Sequence, residues 1–137
     1  MALNAKQKGN RWELLCAHLL RPIWPQVVTA RSTDRAADAA GMDLVKTGNW
    51  AFQCKHVERG LDVFKTLEGM PVETINVVLW KRNRKGAVAV LEMKQMLELI
   101  SKLEAIRTKG CDASTDAWPP DTSQTISQTD SLTILDL

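Results

Sequence analysis

The chain has 137 residues, of which 45% are hydrophobic and 25% are charged, enough for one globular domain with a single core. It contains no apolar run of about 18 residues, the length that predicts a membrane-spanning helix. Residues 1–9 also lack the apolar segment of a secretion signal, so we expect a cytoplasmic protein. The three cysteines (Cys16, Cys54 and Cys111) are odd in number and widely spaced, which argues against a disulfide framework or a zinc site.

The net charge of +2 is unevenly distributed. Residues 111–137 contain five aspartates and no Lys or Arg, which leaves 18 basic and 11 acidic groups, a balance of +7, in residues 1–110. We therefore predict one domain over 1–110 and an acidic, Ser/Thr/Asp-rich and largely disordered tail over 111–137. A basic body favours a polyanionic partner, although a small soluble domain also carries some net charge for solubility alone.

The first predicted element is an amphipathic helix over residues 10–21. Asn10 is a suitable N-cap, and Pro22 predicts an end near Arg21. A short strand over 27–31 and a polar loop over 32–41 follow. The apolar residues that recur at helical spacing are Trp12, Leu15, Cys16, Leu19, Leu20 and Ile23.

Two strands, over 43–46 and 50–57, are predicted to form a hairpin around Gly48-Asn49. Side chains two apart on a strand point to the same face, so Gln53 and Lys55 project together. The other face of this strand is apolar and is predicted to be buried. It carries Trp50, Phe52 and Cys54.

The turn of this hairpin decides where Asp43 points. A two-residue turn would pair Asp43 with Cys54 and place the carboxylate on the buried face. A three-residue turn over 47–49, or an equivalent bulge, would pair Asp43 with Gln53 on the face of Lys55. We predict the second arrangement, because Gly48 or Asn49 can adopt the positive φ that it needs.

The rest of the chain predicts a helix over 61–70, strands over 74–80 and 87–91 joined by a basic turn, and a final helix over 93–107. The order α-β-β-β-α-β-β-α predicts an α/β protein with a central mixed sheet flanked by helices. On the first of these helices, Leu61, Phe64 and Leu67 are predicted to share one side. On the final helix, the residues predicted to face the core are Met93, Met96, Leu97, Ile100 and Leu103.

Asp43, Gln53 and Lys55 have the chemistry for phosphodiester hydrolysis assisted by a divalent cation. Carboxylate and carbonyl oxygens are the ligands that Mg²⁺ prefers, so Asp43, the Gln53 amide and the backbone carbonyl of Cys54 are the predicted metal ligands. Lys55 is predicted to orient or deprotonate the attacking water, or to stabilise the charge that develops on the phosphate.

The chain resembles the PD-(D/E)xK nuclease superfamily and, within it, the small Holliday-junction resolvases of archaea and phages. The resemblance covers residues 6–57 by motif and extends to about residue 106 by element order. It implies a restriction-endonuclease-like core, Mg²⁺ (with Mn²⁺ able to substitute) and a homodimer acting on branched DNA. The matching segments are Lys8-Gly9-Asn10-Arg11-Trp12-Glu13, Gly41-Met42-Asp43-Leu44 and Gln53-Cys54-Lys55.

The resemblance also implies that Glu13, Asp43, Gln53 and Lys55 form the catalytic group, with Glu13 as a further metal ligand. Met42 stands in place of the name-giving proline, and Gln53 stands where a second carboxylate is usual. The Gln53 substitution, similar to that of Mrr-type restriction nucleases, removes one negative charge from the site. Glu13 has an alternative role, because its spacing from Asn10 fits a helix capping box.

Three functional hypotheses remain open: a branched-DNA endonuclease, a duplex endonuclease of the Mrr type, and a non-catalytic nucleic-acid-binding protein with the nuclease fold. His56 is interpreted as structural rather than as a catalytic base. The predicted DNA contacts lie on the first helix, at the end of the 27–31 strand, in the 32–41 loop and in the basic turn. Each of these regions has the alternative of being an ordinary solvated surface. They are Arg11, Arg31, Ser32, Arg35, Lys81, Arg82, Arg84 and Lys85.

Overall fold

The computed structural model describes residues 3–113, with side chains to residue 110. The chain divides after Glu92 into two compact units, the second of which is described through its helix α5. The elements are α1 (Ala5–Leu20), β1 (Val28–Thr29), α2 (Ala30–Thr33), α3 (Arg35–Ala39), β2 (Leu44–Val45), β3 (Trp50–His56), α4 (Val63–Glu68), β4 (Ile75–Arg82), β5 (Gly86–Val90) and α5 (Met93–Ala113).

The five strands form one mixed sheet in the order β1-β2-β3-β4-β5. The β3–β4 pair is parallel, with α4 in the connection between them, and the other three pairs are antiparallel. The predicted mixed α and β class and the predicted order of the strands and long helices are therefore confirmed.

The two faces of the sheet pack against different helices. On one face, which we call the α1 face, the buried Trp12 of α1 donates from its indole Nε1 to the backbone carbonyl of Leu79 at 2.8 Å. On the other, the α4 face, Ala51 and Val78 pack with Leu67 of α4 and with Met70 just beyond it. Successive side chains of β3 thus alternate between the two layers, as a strand requires.

Helix α1 begins earlier than predicted. Asn4 is its N-cap, and Asn4 and Gln7 bond reciprocally as a capping box, so the signal that starts the helix lies six residues before the one we identified. The predicted N-cap Asn10 and the proposed capping role of Glu13 are wrong, since both residues lie inside the helix. The end at Leu20 agrees with the prediction, but Ile23 lies beyond it and is exposed.

The predicted loop over 32–41 is instead largely helical. The predicted strand over 27–31 ends at Thr29, where α2 begins, and α3 follows at once. Asp34 caps α3 by accepting a hydrogen bond from the amide of Ala37 at 3.0 Å. Alanines stabilise these short helices without creating an apolar stripe, and therefore hydrophobic periodicity gave no signal for them.

Two predicted apolar faces are only partly buried, or not buried at all. Leu67 of α4 is buried, but Phe64 is 81% exposed and so does not share its environment. Helix α5 continues past residue 107 to Ala113, and its side chains predicted to face the core are exposed: Met93, Met96, Leu97, Ile100 and Leu103. Helical periodicity identifies an apolar face but does not say what covers it.

The predicted boundary at residues 110 and 111 falls within α5, and residues 114–137 of the predicted tail lie outside the described residues. Among the helices that are described, none has both the length and the apolarity needed to cross a membrane.

Candidate active site

The hairpin between β2 and β3 has the register that aligns Asp43 with Gln53. Leu44 pairs with Phe52, so one step outward Asp43 lies opposite Gln53, as predicted. Gly48 adopts a φ of 61°, the left-handed conformation that the three-residue turn needs. Lys46 is also left-handed, with a φ of 66°, at the start of this turn.

The backbone of Asp43 is fixed on both sides, one residue before β2. Its N–H donates to the carbonyl of Phe52 at 2.8 Å, and its own carbonyl accepts from the N–H of Ala30 at 2.8 Å. Asp43 therefore joins the central strand β3 to the start of α2. A side chain on such a doubly bonded backbone has little freedom to move, which favours preorganised chemistry.

The Asp43 carboxylate is buried and receives two hydrogen bonds on one oxygen. Its Oδ2 accepts from the backbone N–H of Cys54 at 2.6 Å and from Nε2 of Gln53 at 3.2 Å. Burial raises the pKa of Asp43 above its ordinary value, while the Cys54 N–H and the positive charge of Lys55 act in the opposite direction. Within the described residues no hydrogen bond reaches Oδ1, which leaves that oxygen available to a cation.

Glu13 is a second buried carboxylate and projects from the middle of α1. Its Oε1 forms an ion pair with Arg31 at 2.9 Å, and Arg31 also donates to Asn10 one turn earlier on α1. Burial raises the pKa of Glu13, and the negative charge of Asp43 raises it further, whereas Arg31 lowers it. The charges of Asp38, Arg31 and Lys55 act on the pKa of both Glu13 and Asp43, which places the two acids in one electrostatic environment.

Gln53 and Lys55 lie on the α4 face, as the alternation of β3 predicted. Both are partly exposed and line the same open groove beside α4. On the opposite face Phe52 and Cys54 are buried, as predicted, whereas Trp50 is only half-buried. His56 is half-buried and its Nε2 lies 2.9 Å from Oδ1 of Asn83, which agrees with its interpretation as a structural residue.

Cys54 contributes its backbone to the site but not its thiol. The thiol contacts Cys16 of α1, and this hydrogen bond together with burial raises the pKa of Cys54 well above its ordinary value. The N–H and C=O of one strand residue point to the same side. Because the N–H of Cys54 points at Asp43, its carbonyl oxygen projects on that side too, where the predicted ligand is needed.

The oxygen atoms around Asp43 have the chemistry of a site for a hard cation, but few of them come from charged side chains. They are the free Oδ1 of Asp43, the amide oxygen of Gln53, the Cys54 carbonyl and the carboxylate of Glu13. In the part of the chain that the structure describes, no three His, Cys, Asp or Glu side chains form a metal-binding cluster. Mg²⁺ often keeps several waters and takes only one or two carboxylates from a protein, so these residues fit Mg²⁺ better than a metal that needs a full protein cage.

The first group of predicted DNA contacts is only partly available to a ligand. Arg11 and Arg35 are exposed. Arg31 is exposed too, but its guanidinium is paired with Glu13 and thereby belongs to the site itself. The Ser32 hydroxyl donates to a backbone carbonyl three residues earlier at 3.0 Å.

The basic residues of the turn between β4 and β5 also differ in whether they contact other parts of the protein. The Lys81 ammonium lies 5.6 Å from the centre of the α1 tryptophan ring, on the α1 face. Nε of Arg82 is 3.9 Å from the Glu58 carboxylate, and this buried nitrogen makes no hydrogen bond. Arg84 and Lys85 are exposed at the tip, where Arg84 has a φ of 59°. Within the described residues neither Arg84 nor Lys85 forms an ion pair.

Three features of the site were not predicted from the sequence: the Glu13–Arg31 ion pair, the Cys16–Cys54 contact, and the presence of Arg59 and Lys65 in the groove beside Lys55. The first two join residues far apart in the chain, and neither carries a spacing signal. No protein-family model matches the sequence, and no curated protein and no solved structure is significantly similar to it.

Proposed function

We propose that this protein is a Mg²⁺-dependent endonuclease with a restriction-endonuclease-like core, which hydrolyses phosphodiester bonds at branched DNA as a homodimer. The observation that carries the proposal is the register of the β2–β3 hairpin. It brings a buried Asp43 carboxylate against Gln53 and the Cys54 amide, with Lys55 next along the same face. The sequence resemblance to PD-(D/E)xK nucleases supports the same assignment.

Each residue of the site has a distinct role in this proposal. Oδ1 of Asp43, the Gln53 amide oxygen and the Cys54 carbonyl would hold the cation, and Glu13 would assist directly or through a water. A divalent cation in such a site lowers the pKa of its bound water and neutralises phosphate charge. Lys55 orients the attacking water and stabilises the charge that develops on the phosphate oxygens.

Arg31 is a positioning residue in the proposed mechanism. A buried carboxylate without a partner would take up a proton and lose its value as a ligand. The Arg31 guanidinium, 2.9 Å from Glu13, lowers the pKa of that carboxyl against the effect of burial. It therefore helps to keep Glu13 charged, and it fixes the carboxylate on the side of Asp43.

A branched substrate and a homodimer are the finer parts of the proposal. Two cuts on opposed strands of a junction follow naturally from two sites related by a two-fold axis. Recognition of a junction also requires only backbone contacts, which read shape rather than sequence. Mrr-type cleavage of linear duplex is the nearest competing substrate.

A non-catalytic nucleic-acid-binding protein is the second candidate, and Gln53 favours it. Glu13 and Asp43 are the two proposed carboxylate ligands, the charge of Asp38 raises the pKa of both, and Glu13 is already paired with Arg31. With an amide where a third acid would lie, the attraction for a cation is weakened. In this alternative the site residues serve the fold, and the basic groups alone bind DNA.

The deciding experiment compares a synthetic four-way junction with a linear duplex of the same sequence, in Mg²⁺, Mn²⁺ or EDTA. Wild type is compared with Lys55→Ala and with Lys6→Ala, an exposed lysine of α1 that serves as a control. Paired cuts near the branch that disappear in EDTA and in Lys55→Ala, but persist in Lys6→Ala, support a resolvase. Equal cutting of the linear duplex indicates a duplex nuclease, and junction binding without cuts in either metal indicates the non-catalytic binder.

A further inference from the structure

We infer that the groove between β3 and α4 is the path of the DNA backbone into the site, with Arg59 and Lys65 as its phosphate-binding residues. This inference rests on the proposed function for the identity of the ligand. The groove is open and has a volume of about 550 Å³. Its lining consists of Gln53, Lys55, Val57, Arg59, Gly60, Leu61, Asp62, Lys65, Thr66 and Gly69. Two site residues, Gln53 and Lys55, therefore share one groove with residues of α4.

Three cations line this groove, together with one carboxylate, Asp62. Lys55 is half-buried, and Arg59 and Lys65 are exposed. Within the described residues none of the three takes part in an ion pair, since the ion pairs formed there involve Arg31, Arg82 and Arg107. A concave surface with several unpaired positive charges attracts a polyanion.

The carboxylates in and near the groove accept hydrogen bonds from backbone N–H groups. Asp62 lies in the groove lining, but its Oδ1 accepts from the backbone N–H of Lys65 at 3.0 Å and so caps α4. Glu58 accepts from the backbone N–H of Asn83 at 2.6 Å and approaches Arg82. Among the described residues neither carboxylate forms an ion pair with Arg59 or Lys65, and with three cations and one carboxylate the lining keeps an excess of positive charge.

The shape of the groove favours a strand of DNA over a small phosphorylated molecule. Small-molecule sites are mostly apolar and enclose their ligand, whereas this groove is open and its cations are spread along its lining. Backbone phosphates repeat along a strand, so separate cations can each contact one. A strand that occupied the groove would pass directly over Gln53 and Lys55.

The test measures binding without cleavage. A fluorescently labelled four-way junction is titrated in EDTA at several KCl concentrations with wild type, Arg59→Gln, Lys65→Gln and the double variant. The control is Lys6→Gln, which removes an exposed lysine of α1. A phosphate contact contributes about 0.9 to the slope of log K against log salt, which corresponds to roughly eightfold in affinity near 0.1 M salt. Each single variant is therefore expected to lose about eightfold and close to one unit of slope, and the double variant about 60-fold.

The outcomes separate this inference from the proposed function. If Arg59→Gln and Lys65→Gln bind the junction as tightly as Lys6→Gln does, or if wild type binds no junction, the groove is not the DNA path. If a nucleoside monophosphate binds tightly and only its binding is lost in the double variant, the groove is a small-molecule site. If junction binding weakens as expected but wild type cuts nothing in Mg²⁺ or Mn²⁺, the groove assignment stands and the nuclease proposal fails. Unchanged thermal midpoints would show that the variants remain folded.

Discussion

Replacing Gly41 with alanine is expected to destabilise the protein and to disturb the site, because two separate costs fall on this position. Gly41 has a φ of 83°, which L-residues rarely adopt. A Cβ placed there would lie 2.8 Å from the carbonyl oxygen of Gly69, the C-cap of α4. It would also lie 3.4 Å from the side-chain oxygen of Gln53.

The magnitude follows from adding these costs. The left-handed backbone costs a non-glycine residue about 1–2 kcal/mol. The contact with Gly69 is to a backbone atom that cannot rotate away, so relieving it resembles overpacking a core, at about 1–3 kcal/mol. The expected loss for Gly41→Ala is therefore about 2–5 kcal/mol, a large share of the roughly 5–15 kcal/mol that stabilises a typical domain.

Gly60→Ala is the matched control for this experiment. Gly60 has a φ of 76°, but nothing lies within 4 Å of an added Cβ, so only the backbone cost of about 1–2 kcal/mol applies. Urea unfolding of both variants isolates the contact of Gly41 with Gly69 as their difference. Equal losses, within about 0.5 kcal/mol, would show that the close approach is wrong. Under conditions where it is folded, Gly41→Ala should also lose cleavage through displacement of Gln53, and the exposed Lys6→Ala control should retain it.

Four further changes test the electrostatics and packing of the site. Asp43→Asn should abolish cleavage yet raise the thermal midpoint in EDTA. Because burial raises the pKa of Asp43 above 3.8, the charged form of this side chain costs folding stability. The stability gain of Asp43→Asn over wild type should therefore grow as the pH rises above about 4 and disappear at lower pH. Arg31→Ala should lower the free energy of unfolding in urea by about 1 kcal/mol at pH 7, a value discounted for the exposure of Arg31. The loss should be smaller near pH 4, where Glu13 becomes protonated. An equal loss at both pH values would contradict the role of the ion pair. Gln53→Glu should lower stability in EDTA and strengthen stabilisation by Mg²⁺, and a Mg²⁺ titration of the thermal midpoint that matches wild type would contradict the assignment of residue 53 as a ligand. Leu44→Ala should cost about 2–5 kcal/mol, because Leu44 is fully buried opposite Phe52, and a loss below 1 kcal/mol would contradict that packing.

The hairpin could be predicted from the sequence because its geometry is local. Strand side chains alternate strictly, so a shift of one residue would have exchanged the faces of Gln53 and Phe52. Gly48 supplied the positive φ that selects the odd-numbered turn, and the observed pairing of Leu44 with Phe52 follows. The alignment of Asp43 with Gln53 therefore required no knowledge of the rest of the fold.

Other features were missed, either because a stronger pattern lay nearby or because they depend on tertiary contacts. The Asn4–Gln7 capping box is visible in the sequence, but the apolar stripe that begins at Trp12 drew the predicted start of α1 towards Asn10. The short helices after Thr29 lack periodicity altogether. The ion pair between Glu13 and Arg31 joins residues 18 positions apart, and no local rule specifies it. Sequence patterns thus located the acids of the site but not the charges that surround them.

The amide at position 53 has a physical explanation within this environment. Burial already raises the pKa of both Glu13 and Asp43, and nearby negative charge raises them further, from Asp43 and Asp38 at Glu13 and from Asp38 at Asp43. A third carboxylate would have raised these pKa values further in the absence of a cation, whereas the Gln53 Nε2 group instead donates to Asp43 at 3.2 Å. The amide therefore helps to keep Asp43 charged, and it retains one carbonyl oxygen for a ligand. The same substitution weakens the attraction for Mg²⁺, so the positive groove residues Arg59 and Lys65 would need to supply more of the substrate affinity than in a site with three acids.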